Sequence, residues 1–155
     1  MKISTLLLSL FFVIQLTFAQ STLIQDPPKK TWKILVKNNK TAEENFKMIG
    51  QTLIENNYSI EKKDKEFLFI QTSPKNLQKL NASYFLNFTF KDNLIILSGM
   101  SKMNISINFG SITTESNYEK IINKGMRGSI MKESFNEMLQ FATLLPKSEY
   151  DFITD

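Results

Sequence analysis

Apolar positions along this chain are spaced in three ways, and each spacing predicts a different element. Alternation at every second residue marks half-buried strands. Thr31 to Lys37 sets Trp32, Ile34 and Val36 against Thr31, Lys33 and Lys37. Tyr84 to Phe90 sets Tyr84, Leu86, Phe88 and Phe90 against Asn87 and Thr89, and Asn104 to Phe109 sets Ile105, Ile107 and Phe109 against Asn104, Ser106 and Asn108. Tyr58 to Lys62, Glu66 to Thr72 and Leu94 to Met100 read as further strands, with turns at Lys63-Asp64-Lys65 and Lys91-Asp92-Asn93. Connections this short imply antiparallel pairing.

The second spacing is helical. Thr41 followed by Glu44 forms a capping box, after which Ala42, Phe46, Ile49 and Leu53 recur on one stripe that Ile54 is expected to widen. Asn56-Asn57 ends this helix, because Asn tolerates the left-handed conformation. Gly50, beside the stripe, is expected to let the helix approach the sheet closely. A second helix is predicted from Ser129 to Leu145, with Met131, Phe135, Met138, Ala142 and Leu145 inward and Pro146 as its stop. Between the last strand and this helix, residues 110–128 are punctuated by Gly110, Gly125 and Gly128 and predict no definite element; Tyr118, Ile121 and Ile122 suit a short amphipathic turn or helix.

The third spacing is an unbroken apolar run. Leu6 to Leu16 is interrupted only by Ser9 and Gln15, follows Lys2, and precedes Thr17-Phe18-Ala19. That layout is a secretory signal, residues 1–19. At about 11 residues the run is shorter than the about 20 a bilayer core requires, so no stable membrane anchor is expected after cleavage. Residues 20–30, with Pro27-Pro28, read as a linker, 31–145 as one domain, and 146–155 as a flexible tail. The expected localisation is periplasmic or extracellular.

Two helices with one apolar stripe each require one sheet face to cover. The expected fold is therefore α+β: a two-layer sandwich with an antiparallel sheet of about five to six strands and two helices on one face. The other face stays open, and its expected members are Lys33, Leu35, Lys37, Phe85, Asn87, Thr89, Ile95 and Leu97. Leu35, Phe85, Ile95 and Leu97 would give that face an apolar patch, the mark of an interaction surface or a dimer seam. The competing expectation is that residues 110–128 or the N-terminal segment fold over it.

Composition narrows the chemistry. With no Cys and no His among 155 residues, thiolate metal sites, cysteine nucleophiles and every histidine-based triad are excluded. No calcium-loop pattern and no nucleophile elbow is present, so no catalytic residue, metal site or cofactor is expected. Glu133 and Glu137 lie one helical turn apart, a spacing that serves paired acid–base work only if burial raises one pKa; interleaved with Lys132 and Asn136 they read as a solvated face. Gly125 to Ser129 resembles an anion-binding helix N-terminus, with Arg127 and Ser129 as its candidates, although Ser129 also suits a simple cap. The basic residues are nearly all Lys, Arg127 being the only Arg, which equips the chain poorly for nucleic-acid reading.

The layout of Thr31 to Leu145, the closing segment GMRGSIMKESFNEMLQFA (Gly125 to Ala142) and a leader ending in TFAQ resemble a family of exported bacterial proteins of unknown function with a TATA-binding-protein-like (TBP-like) fold. The resemblance implies a fold and an export route and supplies no catalytic residues. The expected function is a non-enzymatic binding or interaction module of the cell envelope, its partner an envelope protein or a second copy. The alternatives are a carrier of a lipid or other apolar ligand and a carboxylate-based envelope hydrolase.

Overall fold

A computed structural model describes residues 26–109, 112–146 and 149–155, with the backbone alone from Ser106 to Glu115. The expected signal and the start of the expected linker lie outside the described residues. Thr31–Lys37 forms β1, Ala42–Glu55 α1, Ile60–Asp64 β2, Phe69–Thr72 β3, Lys75–Asn76 β4, Ala82–Lys91 β5 and Leu94–Met103 β6. Ser106–Phe109 (β7), Ile112–Glu115 (β8), Glu119–Lys120 (β9), Ile130–Thr143 (α2) and Glu149–Thr154 (β10) follow. Among the described residues the main sheet has 8 strands, in the antiparallel path β10-β1-β6-β5-β3-β2 with two-residue β4 and β9 attached to β5 and β6.

The long central hairpin sets the phase of this sheet. Its turn holds only Asp92 and Asn93, the latter with φ 62°, so Lys91 pairs with Leu94, Phe90 with Ile95 and Phe88 with Leu97. Directly opposed residues share a face. On the neighbouring strand Val36 also opposes Ile95, and Ile34 opposes Leu97. The expected open-face placement of Ile95 and Leu97 is therefore corrected: both are fully buried with Ile34, Val36, Leu86, Phe88 and Phe90. Phe46, Ile49 and Leu53 of α1 and Phe135, Met138, Phe141 and Ala142 of α2 join the same cluster, so both helical stripes cover one side of the sheet.

The first helix forms as its pattern predicts. Thr41 caps it, the reciprocal bonds with Glu44 are both present, and Asn56 and Asn57 (φ 59°) end it. Ile54, however, is 67 % exposed, and the buried residues beside the stripe are instead Gly50, one turn before it, and Asn45 on the opposite flank. A Cβ on Gly50 would meet only Lys63 Nζ at 3.5 Å and Ile70 Cδ1 at 4.0 Å, so packing does not demand glycine there. The second helix starts at its Ser129 cap, and its buried side includes Phe141 while Met131 is only half-buried.

Three further expectations change. The turn after β2 runs over residues 65–68, later than the charged triplet, and leaves Phe67 73 % exposed and Leu68 at φ 48°. β7 does not join the main sheet but pairs with β8 in a separate ribbon, and Ile105 ahead of it is exposed. The tail is not loose either: β10 adds an edge strand to β1, because Tyr150 and Phe152 alternate with Glu149 and Asp151 and pack against the core. Lys37 Nζ clamps this strand through Asp151 at 2.7 Å and Glu149 at 3.2 Å. Tyr150 donates to the Ala142 carbonyl at 2.7 Å, and its burial pushes the phenol pKa up to about 12.

Gly99 marks the tightest packing. A Cβ there would lie 2.7 Å from Ile121 Cδ1 and 2.9 Å from the Phe85 carbonyl oxygen. Gly99→Ala is expected to lower unfolding free energy by about 1–3 kcal/mol through overpacking. Gly50→Ala should raise it by up to about 1 kcal/mol through helix propensity. Urea unfolding followed by circular dichroism checks both signs, and equal midpoints for the two variants would contradict this packing.

Candidate binding face

Strand register identifies what the uncovered side of the sheet carries. Leu35 opposes Ile96 on β6 and Asp151 on β10, Ile96 in turn opposes Thr89, and Thr89 opposes Phe69. Leu35, Ile96 and Phe69 are half-buried, and the two helices pack on the opposite side of the sheet. Phe85 opposes Met100, which opposes Lys120 of β9. Leu35 and Phe85 thus occupy the face where the pattern put them, Ile95 and Leu97 do not, and Ile96 stands in their place.

A bulge supplies a residue that alternation assigned elsewhere. Thr31 pairs with Thr154 and Lys33 with Ile153, so Trp32 is the extra residue between them. A bulge re-aims a side chain. Thr31 takes the buried position, held by a hydrogen bond from its hydroxyl to the Pro28 carbonyl at 2.7 Å. The Trp32 ring instead lies between lysines of the uncovered side, with Lys33 Nζ 4.2 Å and Lys120 Nζ 4.4 Å from its centroid. Farther along, Tyr118 meets Phe85 edge-on at 4.9 Å, and Lys102 Nζ stands 5.0 Å from the Tyr118 centroid.

The segment 118–123 is therefore divided between the two sides. Tyr118 folds over Phe85, Ile121 enters the core against Gly99, and Asn123 donates to the Pro27 and Pro28 carbonyls at 2.9 Å, tying down the end of the expected linker. Asp155 accepts from Lys120, whose hydrogen bond and charge hold this carboxyl below the usual range, with Lys30 and Lys124 adding to the effect.

A second feature is a cleft of about 410 Å³ lined by Leu77 to Leu80, Arg127, Gly128, Glu133 and Glu137. Both carboxylates are already engaged. Glu133 accepts from the Gly128 N–H at 2.7 Å and from Asn136 at 3.2 Å, which holds its pKa low. Glu137 accepts from the Tyr84 hydroxyl at 2.8 Å, and Tyr84 pairs with the Tyr58 hydroxyl at 3.2 Å. Glu133, held ionised, is poorly matched to general-acid work, and the Tyr84 phenol, whose pKa burial pushes well up, keeps its proton. At the expected anion site of Arg127 and Ser129, groups of the chain itself meet one another. Ser129 Oγ accepts from Lys132 N at 3.3 Å as a cap, and the Gly128 N–H that would meet an anion is taken by Glu133 of the same chain. Among the described residues no cluster of three or more acidic side chains is placed to hold a metal ion.

Removing the Tyr84 hydroxyl, by Tyr84→Phe, leaves Glu137 and Tyr58 short of a partner and is expected to reduce stability at neutral pH by about 1–3 kcal/mol. The alkaline limb tests the same network. The folded pKa of Tyr84 lies above its ordinary value of 10.0, so its contribution is complete below that pH. It is lost as pH rises further, because the unfolded phenol ionises first. Urea midpoints taken through about pH 10 should fall less steeply for Tyr84→Phe than for the wild type.

No family model matches the chain, and no curated protein or solved structure matches it.

Proposed function

We propose that the protein is an exported, non-enzymatic interaction module of the cell envelope whose platform is the uncovered side of its sheet. The observation that carries this reading is the row Leu35, Ile96 and Phe69, apolar side chains across three strands on the side that neither helix covers. Export rests on the signal-like layout of residues 1–19. No helix among the described residues is long and apolar enough to cross a membrane. The succession of one strand, a helix, a meander and a second helix supports the TBP-like resemblance at the level of layout, with β10 following as an additional edge strand. In the TATA-binding parent fold the corresponding sheet face meets DNA; a single arginine and an expected export route argue against that partner here.

The hydrolase alternative has Glu133 and Glu137 on one cleft in its favour, but their hydrogen bonds commit both to structure. Leu35→Asp and Ile96→Asp are expected to weaken association with an envelope partner or a second copy by about tenfold, about 1.4 kcal/mol. Light scattering and a pull-down from envelope extract read the association, with circular dichroism as the folding control. Unchanged association in folded variants would remove the platform.

A further inference from the structure

The charged groups at the β1–β9 end of the uncovered side do not balance. Lys33 and Lys120 hold their ammoniums within 4.4 Å of the centre of one indole ring, and Lys102 stands over Tyr118 nearby. Lys30 and Lys124 lie close enough to Asp155 to lower its pKa together with Lys120, which makes Asp155 the carboxylate these three lysines share. Among the described residues neither Lys33 nor Lys102 has a carboxylate partner. Like charges gathered on a sheet face repel, and the rings offset this only in part, at about 0.5–1 kcal/mol for an exposed cation–π contact. What remains is a positive stripe whose ammoniums are held in place over rings, a preordered arrangement that lowers the entropy lost on binding an anion.

The chemistry of the stripe selects among anions. Every cation in it is a lysine, a compact point charge without the planar fork that grips phosphate in two places. Separated single charges suit carboxylates spaced along a chain. The rings beneath are apolar bodies, and the C–H side of a sugar ring is apolar as well, so a glycan offers both complements at once. A nucleic acid is gripped chiefly at its phosphates, for which this stripe offers no guanidinium fork. A membrane surface would call for several exposed apolar side chains reaching outward; Ile153, opposite Lys33, is exposed, whereas Trp32, Phe85 and Tyr118 are half-buried.

We infer that the end of the sheet face formed by Trp32, Lys33, Lys102, Tyr118 and Lys120 binds an acidic polysaccharide, a chain of uronate sugars. The inference rests on the interaction-module reading and names the partner class for its platform. Trp32 is the single tryptophan of the chain, so its emission reports occupancy without any label.

The experiment titrates purified protein with polygalacturonate at low salt while following Trp32 fluorescence, with dextran, anionic phosphatidylglycerol vesicles and single-stranded oligothymidylate as parallel arms. Saturable, salt-sensitive change with polygalacturonate and none with dextran is expected. Lys33→Gln and Lys120→Gln should each weaken binding about fivefold or more, whereas Lys47→Gln, on exposed α1 surface, removes the same charge and should leave it unaltered. The inference is overturned by an absent response, by equal loss in all three variants, or by tighter binding of vesicles or oligothymidylate. If polygalacturonate fails while Leu35→Asp still weakens association with an envelope extract, only the partner class is lost. Failure of both removes the platform itself.

Discussion

The tip of the central hairpin is the contact on which the rest of this fold is built. Asp92 accepts from the first N–H of α1, at Ala42, over 2.8 Å; Asn93 donates to the Lys40 carbonyl at 2.8 Å and accepts from Asn38 N at 3.0 Å. Buried Asn45 completes the junction, accepting from Asn38 Nδ2 at 2.7 Å and donating to the Lys91 carbonyl at 3.3 Å. A helix N-terminus leaves N–H groups without partners, and a carboxylate there also meets the positive end of the helix dipole. The same two residues that fix strand phase therefore fix where α1 begins. Once α1 is pinned at the tip, its stripe has one side of the sheet to cover, and α2 fills the remainder of that side.

Buried polar groups keep the layer in register. Thr72, at the end of β3, accepts from Leu86 N through its hydroxyl at 2.9 Å, satisfying a strand N–H with a side-chain oxygen. Tyr84 joins the sheet to α1's exit and to α2 through Tyr58 and Glu137. These groups are worth more as a satisfied set than as single bonds, because any one left unpaired in the interior is expensive. Covering only one side of the sheet then leaves the other dependent on cross-strand packing and on its own charges.

On that other side, one extra residue makes the difference. The bulge at Trp32 removes an aromatic ring from the core and delivers it to lysines from two strands, while the 118–123 segment adds Tyr118 above and Ile121 below. A strand without the bulge would have buried Trp32 beside Ile34 and left Lys33 and Lys120 with no ring between them. The lysine-and-ring end of that face is thus a product of local irregularity, whereas the row Leu35, Ile96 and Phe69 follows regular pleating.

Local rules were enough for the capping box, the helix ends, the alternation of Tyr84 to Phe90 and the sidedness of two single-stripe helices, since each depends on neighbours within a turn or a pleat. Even the phase of Ile95 and Leu97 was legible, because a two-residue turn forces Phe90 and Ile95 onto one face; the uniformly apolar run from Leu94 to Leu97 concealed it. The alternation of Tyr150 and Phe152 marks a strand, but nothing local announced its capture by β1, the bulge at Trp32, the pairing of β7 with β8, or the joining of Tyr84 to Glu137. Those features depend on which distant segments meet, 53 residues apart for that last hydrogen bond. Tertiary packing alone decided them, because hydrogen-bond partners and ring–cation contacts are chosen in space and leave no period in the chain.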